Sequence, residues 1–298
     1  MTVITQLPHP LIETIAGFLA GIASTLVAHP LDVLKTRLQV DRASPSQAGT
    51  SLRLVKDIVQ NEGIAKGLYR GLSPNMAGNS ISWALYFLWY SRIKAGLQAY
   101  YGSGNGLSYY DFLLASGVAG AMTAVCTNPI WVIKTRMLST ASRHPGAYRS
   151  ISHGTRQIYR AEGVRGFYRG LIPSLFGVSH GALQFMAYEQ FKRCRTSQHE
   201  GGGRKLSTID YLWLSGVSKV FAGSVTYPYQ VVRSRLQMHE AEQTYKGARD
   251  AIAQTWKQEG FGGFYKGLGP NLVRVLPSTW ITFLVYEKTK EFMPRLLD

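Results

Sequence analysis

Acidic residues and cysteines are scarce in this chain of 298 residues. Asp and Glu number 17 against 33 Lys and Arg, which gives a formal net charge of +16. Such a chain favours anionic partners: nucleic acid, acidic lipid or a phosphorylated solute. Nucleic-acid binders usually gather their charge in a patch or tail, but Lys and Arg recur here along the whole chain, so we expect no nucleic-acid partner. The two cysteines, Cys126 and Cys194, predict no disulfide framework.

Motifs of several enzyme and metal-binding classes are also missing. The sequence has no phosphate-binding P-loop, no HExxH and no clustered Cys and His, so we expect no metal, no catalytic residues and no bound cofactor. Residues 1–10 lack the features of a signal or transit peptide, which predicts no cleaved leader. GVSHG, residues 177–181, matches the nucleophile elbow of hydrolases, but that motif requires a preceding strand and this segment is predicted to be membrane helix.

Long stretches without Asp, Glu, Lys or Arg are what the sequence does have. They cover residues 14–31, 71–91, 112–133 and 170–188. This suits transmembrane helices, which need about 20 residues. Their many Gly, Ser, Asn and Thr residues fit helices with one face on lipid and one on a polar cavity. A soluble helical solenoid is the alternative, but its amphipathic helices would not supply such stretches.

Three motifs recur in the same order. The first occurs as HPLDVLKTRLQ, NPIWVIKTRML and YPYQVVRSRLQ, whose prolines Pro30, Pro129 and Pro228 are 99 residues apart. The second occurs as EGIAKGLYRG, EGVRGFYRG and EGFGGFYKG, and the third as YSRIK, YEQFK and YEKTK. This order and spacing predict a triplication, in repeats 9–98, 108–195 and 207–292. Each repeat predicts an apolar helix, a short amphipathic helix and a second apolar helix.

The motifs resemble those of the mitochondrial carrier family over nearly the whole chain. The resemblance implies an all-α membrane protein of six transmembrane helices in three pseudo-threefold repeats with short matrix helices. It also implies a monomer of the mitochondrial inner membrane that transports solute by alternating access and is not an enzyme. Trp131 and Gln230 replace the usual acid of the proline motif, and Ser91 replaces that of the tyrosine motif. Repeat one has an extra residue between Gly63 and Tyr69.

In the family, a ring of side chains from the proline motifs closes the matrix side. Asp32 and Lys35 lie on nearly the same helix face, so an acid can pair with a base from the next helix. We predict one full salt bridge, Asp32 with Lys134, one neutral hydrogen bond to Lys35 and one cation–π contact of Arg233. The predicted matrix gate comprises Asp32, Lys35, Trp131, Lys134, Gln230 and Arg233.

A second ring from the tyrosine motifs is predicted to close the cytoplasmic side. It should hold two salt bridges, Glu189 with Lys290 and Glu287 with Lys94, and a weaker contact of Ser91. The alternative is that these are exposed charges at helix ends, where ion pairs contribute little. The predicted cytoplasmic gate comprises Ser91, Lys94, Glu189, Lys192, Glu287 and Lys290.

The aromatic–base–glycine turns come just before the second long helix of each repeat. Free amide groups at a helix N-terminus attract phosphate, and the resemblance implies that these turns bind cardiolipin. Ordinary helix-start turns are the alternative. The predicted lipid-binding residues are Arg70, Gly71, Arg169, Gly170, Lys266 and Gly267.

Breaks in the repeat point to the solute, because the solute is not threefold symmetric. Nine residues before each proline stand Gly21, Gly120 and Lys219. A lysine in mid-membrane is costly and marks a functional site. Lys219 precedes Gln230 by eleven residues, about 20° from the same helix face, so we predict that it faces the cavity. Snorkelling to the membrane surface is the alternative.

A second break lies eight residues after the base of each turn, at Gly78, Gly177 and Arg274. Helical spacing does not place Arg274 on the face of Glu287, but the resemblance places it in the solute contact zone. Nearby candidates for stacking or hydrogen bonding are Asn79, Trp83 and His180, with lipid as the alternative surroundings of Trp83.

One cation on the fifth helix and one on the sixth suit an anion with separated charges, such as a pyrophosphate or two carboxylates. The glycines at positions 78 and 177 predict room for a flat ring. The segments PIWVIKTRM, SWALYF, GVSHGALQFMAYE, LSGVSKVFA and TYPYQVVRSRLQ are most similar to carriers of FAD and folate. We therefore expect FAD, as a transported solute and not a prosthetic group. The alternatives are folate, NAD or a pyrimidine nucleotide.

Overall fold

A computed structural model describes residues 9–42, 49–101, 107–142, 144–197, 207–239 and 241–295 of the chain. The secondary structure in these ranges is helical throughout, with no strand. The predicted all-α class is therefore confirmed for the part of the chain that is described.

Each repeat contains two long helical segments joined by a short helix. Repeat one contains α1 (His9–Val40), α2 (Thr50–Asn61), a π-helical turn (Ile64–Leu68) and α3 (Leu72–Tyr101). Repeat two contains α4 (Tyr109–Ser139), α5 (Ile151–Phe167), α6 (Leu171–Phe176) and α7 (Val178–Ser197). Repeat three contains α8 (Thr208–Val225), α9 (Tyr227–Gln237), α10 (Ala241–Thr244), α11 (Ala248–Gly263) and α12 (Leu268–Arg295).

The motif prolines act differently in the three repeats. Proline lacks a backbone N–H and crowds the preceding turn, so it bends or breaks a helix. Pro30 and Pro129 lie inside the continuous helices α1 and α4. In repeat three the helix is interrupted at Thr226, and Pro228 stands in the first turn of α9. The eleven-residue count that places Lys219 on the cavity face crosses this interruption, so ideal spacing alone does not support it.

The second long segment of repeat two is interrupted at Gly177, between α6 and α7. Tyr188 follows Arg169 by 19 residues, whereas Tyr90 and Tyr286 follow their turn bases by 20. The interruption therefore lies in the repeat that is one residue short. GVSHG is therefore not a nucleophile elbow, because helix α6 precedes it where that motif requires a strand.

The extra residue of repeat one is accommodated in the π-helical turn Ile64–Leu68. A π-turn takes one more residue per turn than an α-helix and so absorbs an insertion locally. Tyr69 and Gly71 then form the same turn as their equivalents in the other repeats. The glycines of the three turns have positive φ angles of 72°, 71° and 82°, at Gly71, Gly170 and Gly267.

The repeats close into a ring. The second long helix of each repeat packs on the first long helix of the next: α3 on α4, α7 on α8, and α12 on α1. Contacts among α1, α4 and α9 bring the three proline motifs together. We call this the proline-motif end of the bundle and the opposite one the tyrosine-motif end.

Large apolar side chains cover much of the outer surface, as the exposure of Phe18, Phe87, Leu114, Trp213 and Phe283 illustrates. Such a surface suits contact with an apolar environment rather than water. By length and hydropathy alone, two described segments qualify as spanning helices, Ala16–Val40 and Tyr109–Ser139. The prediction of six spans therefore depends on the repeat symmetry and not on the hydropathy of each helix.

Candidate functional site

A cavity of about 300 Å³ lies inside the bundle towards the proline-motif end. Four cations line it, Lys35, Lys134, Arg233 and Arg274, together with one carboxylate, Asp32. Like charges brought together in a partly buried space repel one another and lose solvation. The cavity is therefore suited to an anion that neutralises the excess cations.

The carboxylate of Asp32 forms its ion pair with Arg274. Arg274 Nη1 lies 2.6 Å from Asp32 Oδ1, and Asn75 Nδ2 donates to the other carboxylate oxygen at 3.4 Å. The predicted salt bridge of Asp32 with Lys134 is therefore wrong for this conformer. Arg274 can reach Asp32 because α12 packs along α1. Lys134 Nζ instead lies 4.8 Å from the ring centroid of Trp131 on its own helix.

The other two contacts of the predicted matrix gate have the predicted chemistry. Lys35 Nζ donates to Gln230 Oε1 at 2.8 Å and to Asn271 Oδ1 at 2.9 Å, which is a neutral pairing. The guanidinium carbon of Arg233 lies 5.7 Å from the ring centroid of Trp131. Trp131 thus stands at the position that Asp32 occupies in repeat one and contacts two cations through its ring. One ion pair, one amide and one indole together close this end.

A set of ion pairs that we did not predict from the sequence lies just beyond the predicted gate. In each repeat the second base of the proline motif binds the glutamate of the Glu–Gly segment through both guanidinium nitrogens: Arg37 with Glu62, Arg136 with Glu162, and Arg235 with Glu259. Bidentate arginine–carboxylate pairs of this kind are strong and directional. The signal was present in the sequence, because both partners recur in all three repeats.

The glutamates of these pairs have lowered pKa values. Burial by itself would raise the pKa of Glu62, Glu162 and Glu259, because it disfavours the charged form. The hydrogen bonds and charge of the arginines outweigh burial, so the net shift is downwards in all three. These carboxylates are therefore held ionised in the folded protein.

The residue before each motif proline binds the turn that opens the second long helix. The acceptor is always the carbonyl of the turn's base. The three bonds are His29 Nε2 to Arg70 O at 2.9 Å, Asn128 Nδ2 to Arg169 O at 3.2 Å, and Tyr227 Oη to Lys266 O at 3.0 Å. Because three residue types make one bond, the equivalence is not visible in the sequence. In each repeat this hydrogen bond connects the helix that carries the motif proline to the aromatic–base–glycine turn of the same repeat.

The side chains of the turn bases reach the following repeat. Arg70 Nε donates to Met137 O at 2.7 Å, Arg169 Nη2 lies 2.9 Å from Glu242 Oε1, and Lys266 Nζ donates to Asp41 O at 2.9 Å. The predicted lipid-binding cations are thus bonded within the protein. Lipid binding at these turns remains a prediction, and the groups that would bind the lipid are now the backbone amides.

Lys219 lies on the inner face of α8. Trp213, Val217 and Phe221 form an exposed apolar stripe along this helix. Lys219 is two residues from both Val217 and Phe221, about 200° around the helix, so it points away from the stripe. It lies within electrostatic range of Arg274 and of His180. No described residue forms a hydrogen bond or ion pair with its ammonium group.

The two glycines expected to leave open space are covered by aromatic side chains, which corrects that expectation. A Cβ added at Gly78 would lie 3.5 Å from the ring of Trp131, and one at Gly177 would lie 3.0 Å from the hydroxyl of Tyr229. Free space lies beside Gly177, in a recess of about 240 Å³ that Gly120 and Trp131 also line.

The remaining contact candidates have protein partners. Asn79 lines the large cavity and donates to Asn75 Oδ1 at 3.4 Å. His180 Nδ1 is 2.9 Å from Thr226 Oγ1, so it spans the two helix interruptions. The indole of Trp83 is 62% exposed and stacks on Phe87 with the ring centroids 5.6 Å apart.

The predicted cytoplasmic gate is not assembled in this conformer. None of the described ion pairs joins Glu189 with Lys290 or Glu287 with Lys94, so these predicted pairs are absent here. Lys94 Nζ lies 6.0 Å from the ring of Tyr90, its neighbour one turn away. The physical reason is that the bundle is closed at the proline-motif end. The ring stays a prediction for the opposite conformer.

Comparison with known proteins gives one family. A family model described as "Mitochondrial carrier protein" matches residues 7–101, 105–199 and 204–296. The mitochondrial FAD carrier protein FLX1 of Saccharomyces cerevisiae is 39% identical, with 93% of this chain and 96% of that protein covered. The mitochondrial nicotinamide adenine dinucleotide transporter 2 of Arabidopsis thaliana is 41% identical, over 93% and 78%. The chloroplastic folate transporter 1 of Arabidopsis thaliana is 38% identical, over 93% and 94%.

Proposed function

The chain belongs to the mitochondrial carrier family, and from this premise we propose that it transports FAD across the mitochondrial inner membrane. Members of this family are transporters and not enzymes, and the solutes named for the relatives are FAD, NAD and folate. All three are anions that carry heteroaromatic rings. Folate, NAD and a pyrimidine nucleotide are the alternative solutes.

The observation that carries the proposal is the charge of the cavity, where four cations face one carboxylate. A pyrophosphate placed among Lys35, Lys134 and Arg233 would relieve their mutual repulsion and gain charge-assisted hydrogen bonds. Arg274 supplies a cation at the cavity wall, where Asp32 holds it, and Lys219 supplies one on the inner face of α8, with no described ion-pair partner. The recess beside Trp131 and Tyr229 offers a flat ring two aromatic neighbours.

Alternating access is supported by the asymmetry between the two ends. The proline-motif end is closed by its ion pair, amide and indole contacts, while no described ion pair joins Glu189 to Lys290 or Glu287 to Lys94 at the tyrosine-motif end. A solute can enter this conformer at the tyrosine-motif end. If it binds more tightly to the conformer whose tyrosine-motif ring is closed, it shifts the equilibrium towards that conformer. We assign the closed end to the matrix and the open one to the cytoplasmic side.

The membrane setting follows the same assignment. We propose six crossings of the inner membrane by a monomer, with the matrix helices α2, α5 and α11 on one side. Cardiolipin would bind through the amide groups at the starts of α3, α6 and α12, since helix N-termini attract phosphate.

The test is uptake by the purified full-length protein in proteoliposomes. Labelled FAD, FMN, NAD, folate and UTP are offered separately, and initial rates are compared with those of empty liposomes. We expect FAD to give the highest ratio of uptake rate to KM. Faster, tighter uptake of NAD, folate or UTP would replace FAD as the solute. If no anion in the panel is taken up above the empty-liposome rate, the proposed function is wrong.

A further inference from the structure

A run of aromatic rings follows α3 from the cavity towards the tyrosine-motif end. The rings of Tyr86 and Tyr90 are stacked, with centroids 6.1 Å apart and 7° between their planes. Trp83 meets Tyr86 edge to face at a centroid distance of 6.2 Å. Both geometries are favourable for aromatic pairs. We call Trp83, Tyr86 and Tyr90 the aromatic ladder.

The ladder continues the face of α3 that lines the cavity. Asn79 and Ser82 of this helix line the large cavity and the smaller recess, respectively. Tyr86 and Tyr90 follow Asn79 by seven and eleven residues, so each lies within about 20° of its direction around the helix. Trp83 is about 40° away, at the border of that face.

The two inner rungs break the threefold repeat. Counted back from the tyrosine motif, their equivalents in repeats two and three are small or polar. Trp83 corresponds to Gly181 and Thr279, and Tyr86 to Gln184 and Thr282. Only repeat one therefore presents a continuous line of rings, as expected of a contact with a solute that is not threefold symmetric.

The neighbouring position shows what a repeated aromatic looks like. Phe87, Phe185 and Phe283 are equivalent, and they are 57%, 52% and 49% exposed. An aromatic present three times at similar exposure belongs to the shared outer surface of the bundle. The rings of Trp83 and Tyr86 have no such counterparts, so the architecture does not explain them.

We propose that the aromatic ladder is a stacking subsite for a flat heteroaromatic ring of the transported anion, an inference that rests on the proposed function. The ring stacks on Tyr86, with Trp83 at the edge of the subsite where it also stacks on Phe87, while the phosphates bind the cations deeper in the cavity. Tyr86 lies about 10 Å along the helix from Asn79, a separation that suits the ring and pyrophosphate of one dinucleotide. Stacking on aromatic side chains accepts any base because each has a π-face.

The test compares Tyr86→Leu, Tyr86→Phe and Trp83→Leu in the full-length protein in proteoliposomes. The measurements are KM and maximal rate for FAD uptake, and the inhibition constant of inorganic pyrophosphate, which has charge but no ring. We expect Tyr86→Leu to raise KM for FAD about tenfold, from the usual strength of base–aromatic stacking. The inhibition constant of pyrophosphate should not change. Tyr86→Phe, which keeps the ring, should transport like the wild type.

Phe185→Leu is the control, since it removes an aromatic ring from the exposed outer surface, whereas the ring of Tyr86 is partly buried. Equal effects of Phe185→Leu and Tyr86→Leu on KM would overturn the proposal. So would a parallel rise in KM for FAD and in the inhibition constant of pyrophosphate, because that pattern indicates a general distortion. If wild-type protein transports FAD but Tyr86→Leu leaves KM unchanged, the ladder is wrong and the proposed function stands. If no ring-bearing anion is transported, both proposals fail.

Discussion

At the scale of single residues, the position of Arg274 changes how the site is understood. Its guanidinium is bound to Asp32, the single carboxylate that lines the large cavity. An incoming anion must therefore compete with Asp32 for Arg274, or share it. The same side chain is then both a solute contact and a part of the gate, so binding and opening are coupled at one residue.

Asp32→Asn should separate these two roles. Without the carboxylate, Arg274 is left near Lys35, Lys134 and Arg233, and an unpaired, partly buried charge is costly. We expect a melting temperature several degrees lower in detergent without solute, and a larger rise on adding FAD, because Arg274 is then available to it. The exchanged pair Asp32→Arg with Arg274→Asp should recover part of the lost stability. A swap that melts no higher than either single variant would contradict the pairing.

Lys219 is the residue whose loss should affect transport most selectively. Its ammonium has no ion-pair partner among the described residues, so a charged solute is the partner we expect. Lys219→Ala should lower FAD uptake at least tenfold without lowering the melting temperature of the solute-free protein. Lys257→Ala, at an exposed position of α11, is the control and should transport normally. Near-normal uptake by Lys219→Ala would remove this residue from the site.

At the scale of secondary-structure elements, the π-helical turn Ile64–Leu68 is the means by which repeat one fits one more residue into the common frame. Gly67 in this turn, like Gly166 and Gly263, packs against the preceding short helix, where an added Cβ would lie 2.6–2.8 Å from a side chain. The insertion is thus confined between two fixed points, the positive-φ Gly63 and the close contact of Gly67.

Deleting Ala65 should therefore be tolerated. It gives repeat one the spacing of the other two repeats, and a regular α-turn can replace the π-turn. We expect the melting temperature to change by no more than about 2 °C. Deleting Val164, the matched control, should lower it strongly, because repeat two has no surplus residue and the turn at Tyr168 would be pulled out of place. The idea fails if the two deletions are equally damaging.

The number and order of the helices could largely be predicted from the sequence, because the motifs recur with a fixed period and each motif marks one helix. The partner of Asp32 could not, since it depends on which side chain of α12 reaches α1. The bonds of His29, Asn128 and Tyr227 were hidden because the three residues share geometry and not chemistry. The interruption at Gly177 could have been found from the missing residue, but spacing alone did not say where the helix would break.

At the scale of the whole molecule, three pairs of arginine and glutamate fasten the short helices to the proline-motif end. A carboxylate whose pKa is lowered by folding contributes stability above its unfolded pKa, and this contribution is lost as the pH falls through the folded value. The three pairs act in parallel, so together they make the folded protein sensitive to acid.

Glu259→Gln tests this. Glu259 binds the almost fully buried Arg235 and also Lys266, and its pKa is lowered from 4.5. At pH 7 the variant should melt well below the wild type, because Arg235 loses its charged partner. Below about pH 4.5 the wild type should lose stability faster than the variant, so the two melting temperatures converge. Asp57→Asn, on the exposed face of α2, should keep a constant offset. A pH-independent difference for Glu259→Gln would contradict the assignment.

The closed ring of repeats sets how such a molecule can open. Because α3 lies on α4, α7 on α8 and α12 on α1, every repeat is held on both sides by a seam of the same kind. Moving one repeat outwards alone would break the helix contacts on both of its sides. Rotating all three repeats by a small and equal amount would strain each contact only slightly. We therefore expect the three repeats to move together and by the same amount, so that the opening stays centred on the axis of the bundle.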